Sequence, residues 1–365
     1  MSTGNPDTII IGAGIIGASI AWRLAQSGRR VTLVDAGTMG GEASWAGAGM
    51  LAPGGEVEKR DVWTDLALES MRLYPGYVAE LESATGIAID FRRSGAFELA
   101  FDDAEWKTLG RRAETQRGMG ILSQSMTASG VRSRVPSLEK EIAGALFYPD
   151  DAMVDPRDVM RALRAACRSL GVEIVEGWRA NAIHATGDAV EVVGANQTLR
   201  AATGVLAAGA WTSEVAVSGI KAVPIPAAYP IRGHLLGYQL APGSLDPILR
   251  HGHTYLLQRS SGFTVAGTSS ERVGFDRVID PATVEDIIAR TSELMPALRR
   301  LKPAASWIGF RPASDSTGPE IRRVPGSNLW LAYGHYRNGI LLAPLTAKLI
   351  SGQILASSES RAANP

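Results

Sequence analysis

TIIIGAGIIGASIAWRLAQSGRRVTLVD, residues 8–35, is the stretch that decides the fold. Residues 8–11 form a short apolar run rich in β-branched side chains, the pattern of a strand buried on both faces. Gly12, Gly14 and Gly17 follow at GxGxxG spacing. The first lets the chain turn sharply, the second lets a pyrophosphate approach bare backbone, and the third lets the next helix lie close to the sheet. Residues 15–27 carry helical periodicity, opened by Ile15 and Ile16 and closed by Gly28. Residues 31–34 read as a second strand with Asp35 at its end. An acid about 20 residues beyond the glycines is placed to accept a ribose hydroxyl. The strand–glycine–helix–strand–acid order therefore predicts a dinucleotide site. An acid at 35 disfavours a 2′-phosphate, so FAD or NAD fits better than NADP.

Outward from this unit, 365 residues exceed one ordinary core, and two domains are expected. A hydrophobic content of 45% and a mean hydropathy near zero describe a globular chain. With 37 basic and 37 acidic residues, nothing in the charge balance points to nucleic acid or an anionic membrane. Cys167 is the single cysteine, so neither a disulfide framework nor a cysteine metal cluster is available. No basic region precedes the first apolar run, and its glycines interrupt it short of a membrane span; a cytoplasmic location is expected.

Residues 37–55, GTMGGEASWAGAGMLAPGG, are so rich in glycine and alanine that backbone lying against a flat ligand is expected, with Met50 and Leu51 toward it. Residues 62–85 have helical spacing, with a break or kink at Pro75-Gly76. Residues 91–101 alternate as one strand, and 102–116 read as a polar helix. Asp155-Pro156 opens a helix that Gly171 closes, with Cys167 on its inner face. Strands are expected at 144–148, 172–175, 189–193 and 204–208, the last running into AAGAW at 207–211, where Ala208 and Gly209 allow close approach to a cofactor. Further strands at 224–240, 254–258, 262–267, 307–312 and 329–333 precede an apolar helix at 340–355. That second strand–glycine–helix unit would present free N–H groups and a partial positive charge. The polar tail, 357–365, reads as frayed.

Taken together, GxGxxG, GTMGG…AGML, AAGAW, WIGFRP and GHYRNGILLAP resemble the flavin-dependent D-amino-acid oxidase and sarcosine oxidase superfamily. Within it the likeness is to the glycine oxidase branch of thiamine biosynthesis, over about residues 7 to 355. The resemblance implies an α/β fold. A Rossmann-like FAD-binding domain (1–85, 150–220, 305–365) would be interleaved with a mixed, largely antiparallel β-sheet substrate domain flanked by helices (86–149, 221–304). It implies non-covalent FAD, since no cysteine stands near the carboxyl end to attach it. FAD would lie along Gly12–Gly17 with Asp35 on its ribose. Further contacts would come from Ala36, Ala43, Ser44, Ala48, Gly49, Met50, Ala180 and the run His335, Tyr336, Arg337, Asn338, Gly339, Ile340 and Leu341.

The reaction class implied is oxidation of a small primary or secondary α-amino acid (glycine, sarcosine, small D-amino acids) to its imine. Hydride would pass to the flavin, and dioxygen would then give hydrogen peroxide. A substrate carboxylate calls for a planar guanidinium fork, and Arg311 in WIGFRP matches the family's carboxylate-binding arginine. Tyr255 matches a tyrosine whose hydroxyl reaches the same carboxylate, and Arg337 an active-site arginine beside the flavin. His253 is read as lining the pocket, and His335 as pocket-lining or structural, because hydride transfer from a neutral amine needs no base. Ser270, where the branch has a methionine near the pocket, puts substrate size preference in question, and Arg322 stands where the family usually has glycine. His251 and His253 lack an acid or cysteine set, so no metal is expected. The partners expected are the amino acid, dioxygen and further copies of the same chain. The competing readings are a dehydrogenase of the same fold that passes electrons to a quinone or protein, and a flavin module that senses ligands without turnover.

Overall fold

In the computed structural model, residues 5–138, 141–220 and 224–362 are described. The opening unit is as read: strand Thr8–Ile11, helix Ile15–Gln26, strand Val31–Val34. These strands belong to a six-stranded sheet in the order Glu320–Arg323, Leu329–Tyr333, Thr203–Leu206, Thr8–Ile11, Val31–Val34, Glu173–Val175. Every neighbouring pair is parallel except the Glu320–Arg323 edge. Its central strands are buried throughout, which is why they read as unbroken apolar runs.

The opening helix, Pro156–Ser169, Val62–Thr85 and Gly339–Ala362 pack on one face of this sheet around Trp22, Tyr74, Leu163 and Ile350. Cys167 lies fully buried among them, as its helical spacing predicts. Part of the last helix, Gly339–Ser358, is long and apolar enough to cross a membrane, but much of it is buried here as a core helix. That helix continues to Ala362, so 357–362 is not frayed; 363–365 lie outside the described residues. Val62–Thr85 runs unbroken with Pro75 inside it. Burial of Tyr74, Tyr77, Val78 and Leu81 on one face outweighs the lost backbone bond.

An eight-stranded sheet runs Ala305–Ser314, Ala228–Gln239, Phe263–Gly267, Thr254–Gln258, Ile248–His251, Ala96–Ala100, Gly144–Tyr148, Gln124–Met126. All its pairings are antiparallel except Ile248–His251 with Ala96–Ala100. The single strand expected over 91–101 is two. Gly95, at φ +76°, turns the chain between Phe91–Arg92 in a three-stranded sheet and Ala96–Ala100 in the large one. Strands Ala180–Ala185 and Thr198–Ala201 carry no strong apolar run and complete a four-stranded sheet.

Candidate active site

A cavity of about 650 Å³ runs from the carboxyl ends of the parallel strands to the face of the large sheet. At one end, Gly12 sits at φ +102°, and a Cβ there would lie 2.3 Å from the Ala207 carbonyl oxygen. Gly14 is extended at the start of the opening helix, which has no acidic residue in its first turn. The Ile15 amide donates to Ser44 Oγ (2.9 Å), tying the glycine-rich loop to that helix. Asp35 accepts from the Ala13 amide at Oδ2 (2.7 Å) and the Gly37 amide at Oδ1 (2.8 Å). Burial raises its carboxyl's pKa above the ordinary value, and the amide bonds pull it back.

The middle of the cavity is backbone. Ala36, Ala43, Ser44, Ala48, Gly49 and Met50 line one side, and Ala180, Ala208 and Gly209 another. Gly49, at φ +88°, passes so close to strand Ala152–Val154 that a Cβ would lie 1.9 Å from the Val154 carbonyl oxygen. Leu51, next to Met50, packs into the core instead. The last helix begins at the same cavity, again without an acid in its first turn, and His335, Tyr336, Arg337, Asn338, Gly339 and Ile340 form that wall. His335 is fully enclosed beside Thr346 Oγ1 (3.0 Å), and burial pushes its pKa down to about 3, so the ring is neutral.

At the other end stand Arg311, Tyr255 and Arg337. Arg311 extends from strand Ala305–Ser314. Its Nη2 donates to Thr268 Oγ1 (2.8 Å), and Nη1 to the carbonyl oxygens of Ser269 (3.1 Å) and Arg232 (3.5 Å). All three acceptors are neutral, and no carboxylate of the described residues pairs with this guanidinium. Burial lowers its affinity for its proton, partly countered by Tyr255. Tyr255 is buried too; burial raises its phenol's pKa, while Arg311 and Arg337 draw it down. Arg337 differs in being matched, its Nη2 2.9 Å from Glu56 Oε1. Across the mouth, Arg277 pairs with Glu42 (2.7 Å) and Phe275 stacks on Trp211 (4.7 Å between ring centroids).

Besides Leu51, four residues named from the sequence do not line the cavity. His253, expected to line the pocket, is exposed at the tip of a two-residue turn between the paired His251 and Thr254. Ser270 is exposed just beyond strand Phe263–Gly267, and Thr268 takes the cavity position. Gly17 packs beneath the turn, where a Cβ would lie 1.9 Å from the Gly12 carbonyl oxygen, as the packing role of the third glycine requires. Leu341 faces the core, its carbonyl accepting from Ser70 Oγ (2.6 Å). Conversely, Glu56 was missed although it ends the glycine-rich loop one residue past the stretch singled out.

The family model for FAD-dependent oxidoreductases matches residues 7–353. The chain belongs to this family. Glycine oxidase of Bacillus licheniformis is 32% identical over 353 residues, covering 96% of this chain and 93% of that one. The bifunctional protein ThiO/ThiG of Synechocystis sp. is 34% identical over 96% of this chain and 51% of its own length. The crystal structure of glycine oxidase from Geobacillus kaustophilus superposes with a TM-score of 0.90 at 31% identity, covering 97% and 95% of the two chains. An FAD-dependent oxidoreductase needs a long cleft with anion-binding backbone at its ends, and this cavity fits. Two helix starts free of acidic residues open onto it, and side chains at Gly12 and Gly49 are sterically forbidden. Among the described residues no cluster of histidine, cysteine and acid exists to hold a metal.

Proposed function

We propose that this protein is an FAD-dependent amino-acid oxidase that oxidises glycine and similarly small amines, sarcosine and small D-amino acids among them. The imine formed from glycine would serve thiamine biosynthesis in the cytoplasm. The observation that carries the reading is Arg311, a half-buried guanidinium held by three neutral oxygens, with no acid partner among the described residues. Even partial desolvation of a lone cation is costly, so the site is built for an anion that arrives with the substrate. A carboxylate matches the planar fork.

FAD, held by Gly12–Ile16, Asp35, residues 43–50 and the start of the last helix, supplies the two-electron acceptor and the route to dioxygen. The chain's own residues orient the substrate. Arg311 grips the carboxylate, Tyr255 adds a hydroxyl donor from the neighbouring strand, and Arg337, tied to Glu56, adds positive potential without competing for the carboxylate. The start of the last helix stabilises negative charge that develops beside it. Neutral His335 leaves that charge to the helix. The antiparallel segments 86–149 and 221–304 serve as the substrate domain in this reading, and the remainder as the FAD domain.

The test is a peroxide-coupled screen with glycine, sarcosine, D-alanine and D-proline, run on the native enzyme and on Arg311→Met. Turnover of glycine with peroxide release is expected. Arg311→Met should raise KM by an amount equivalent to about 2–5 kcal/mol. No turnover of any of the four, or an unchanged KM in the variant, overturns the reading. Slow reoxidation of reduced enzyme by dioxygen in stopped flow would reassign it as a dehydrogenase.

A further inference from the structure

Behind Arg311 lies a second polar group that the proposed chemistry does not use. His234, in strand Ala228–Gln239, is fully buried. The Asp280 amide donates to its Nε2 (3.1 Å), so the ring proton of the neutral imidazole sits on Nδ1. Nδ1–H donates to Glu271 Oε1 (2.9 Å), with Ser269 Oγ 3.0 Å away. The Ser269 hydroxyl also donates to Glu271 Oε1 (2.5 Å) and accepts from the His234 amide (2.9 Å). Glu271 Oε2 takes two donors from Arg232, Nε at 2.9 Å and Nη2. Serine, histidine and glutamate together suggest a hydrolytic triad, but the free nitrogen of such a histidine is here capped by a backbone amide. The serine is bound to the acid, and the histidine is sealed from solvent. The group cannot act as a nucleophile.

Its connections lead instead to the arginine fork. Two of the three oxygens that hold Arg311, Thr268 Oγ1 and the Ser269 carbonyl, belong to the segment that His234 and Glu271 fasten to strand Ala228–Gln239. The third is the carbonyl of Arg232 in that strand, which also accepts from the Glu271 amide (2.9 Å). Thr268 Oγ1 completes the stitch by donating to the His234 carbonyl (2.9 Å). The arrangement also accounts for a charge. Glu271 stands two residues past Ser269, and both its oxygens are taken by Arg232, Ser269 and His234, so it does not pair with Arg311, which has no carboxylate partner among the described residues.

We infer that His234 is a positioning residue: through Glu271 and the 268–271 segment it sets the place of the Arg311 guanidinium and keeps the neighbouring carboxylate off it. This rests on Arg311 as the carboxylate-binding group. His234→Ala holoenzyme should show KM for glycine raised ten-fold or more with kcat within about three-fold. Acetate binding, read from the flavin absorbance, should weaken by a similar factor, while FAD affinity stays within two-fold. His234→Asn, which keeps a donor near the place of Nδ1, should return KM to within about three-fold of native. An unchanged KM in His234→Ala, an equal loss of kcat and rise of KM, or an Asn variant no better than Ala overturns the inference. If Arg311→Met itself leaves acetate binding intact, the reading of Arg311 fails first. If Arg311→Met weakens acetate and His234→Ala does not, only the positioning role fails. Should His234→Ala not fold, Glu271→Gln carries the same expectation for KM and acetate, and no change in either overturns it.

Discussion

The two ends of the cavity are built on opposite principles. The amino-terminal end is backbone: a glycine turn, two helix starts and a loop whose side chains are mostly hydrogen or methyl. The far end is side chains: Arg311, Tyr255, Arg337, Glu56 and the bonds behind them, drawn from strands and segments far apart in the sequence. Backbone sites fail through steric occlusion, and they fail for every ligand that must lie along them. Side-chain sites fail by losing one interaction at a time, and they lose substrate before they lose cofactor.

The sharpest test of that contrast is at Gly12. Its φ of +102° and the 2.3 Å approach to the Ala207 oxygen make Gly12→Ala costly by about 3 kcal/mol or more. The expected result is a large fall in melting temperature together with loss of flavin absorbance; a yellow protein of native stability would break the comparison. Next is acid stability. His335 titrates at about 3 in the folded protein and near 6.5 when unfolded, so the unfolded chain binds the extra proton first. Its contribution to stability is complete above about pH 6.5 and is lost as pH falls toward 3, about 2 kcal/mol by pH 5. Denaturant midpoints for His335→Gln should fall less steeply over that interval than those of the native protein. Smaller again is Tyr255→Phe. Removing one hydroxyl donor should raise KM for glycine by about ten-fold, near 1.4 kcal/mol, with FAD affinity unchanged. Least is Arg277→Ala, which breaks an exposed ion pair with Glu42 across the mouth; stability should move by less than about 1 kcal/mol and FAD affinity by a few-fold at most.

The same contrast explains what could be read from the chain. The glycine turn, its strand and helix and Asp35 form one continuous stretch, so local spacing carried the whole unit. The buried parallel strands were legible because burial on both faces leaves an apolar run. Arg311, Tyr255 and Arg337 came through resemblance, since nothing local separates them from ordinary surface arginines and a strand tyrosine. Thr268 and His234 escaped because their places follow from pairing between strands, and Glu56 because it meets Arg337 only through tertiary packing. His234 meets Ile308 and neighbours Ser269 only once register is set. His253 lies outside the cavity because the strand ends before it: a tight turn with Gly252 at φ +58° carries its side chain to the surface. Of the break or kink expected at Pro75-Gly76, the break does not occur, because a packed aromatic face can retain a proline that an isolated helix would reject.

Cys167 donates from Sγ to the Ala18 carbonyl at 3.6 Å, and burial pushes its thiol up to about 12. Almost no thiolate exists at neutral pH, and no solvent reaches it. An oxidase of this kind would release hydrogen peroxide within its own walls at every turnover. With its one sulfhydryl protonated and walled off, the catalyst offers that by-product no sulfenic-acid chemistry, and among the described residues that line the cavity the sulfur within reach is the thioether of Met50.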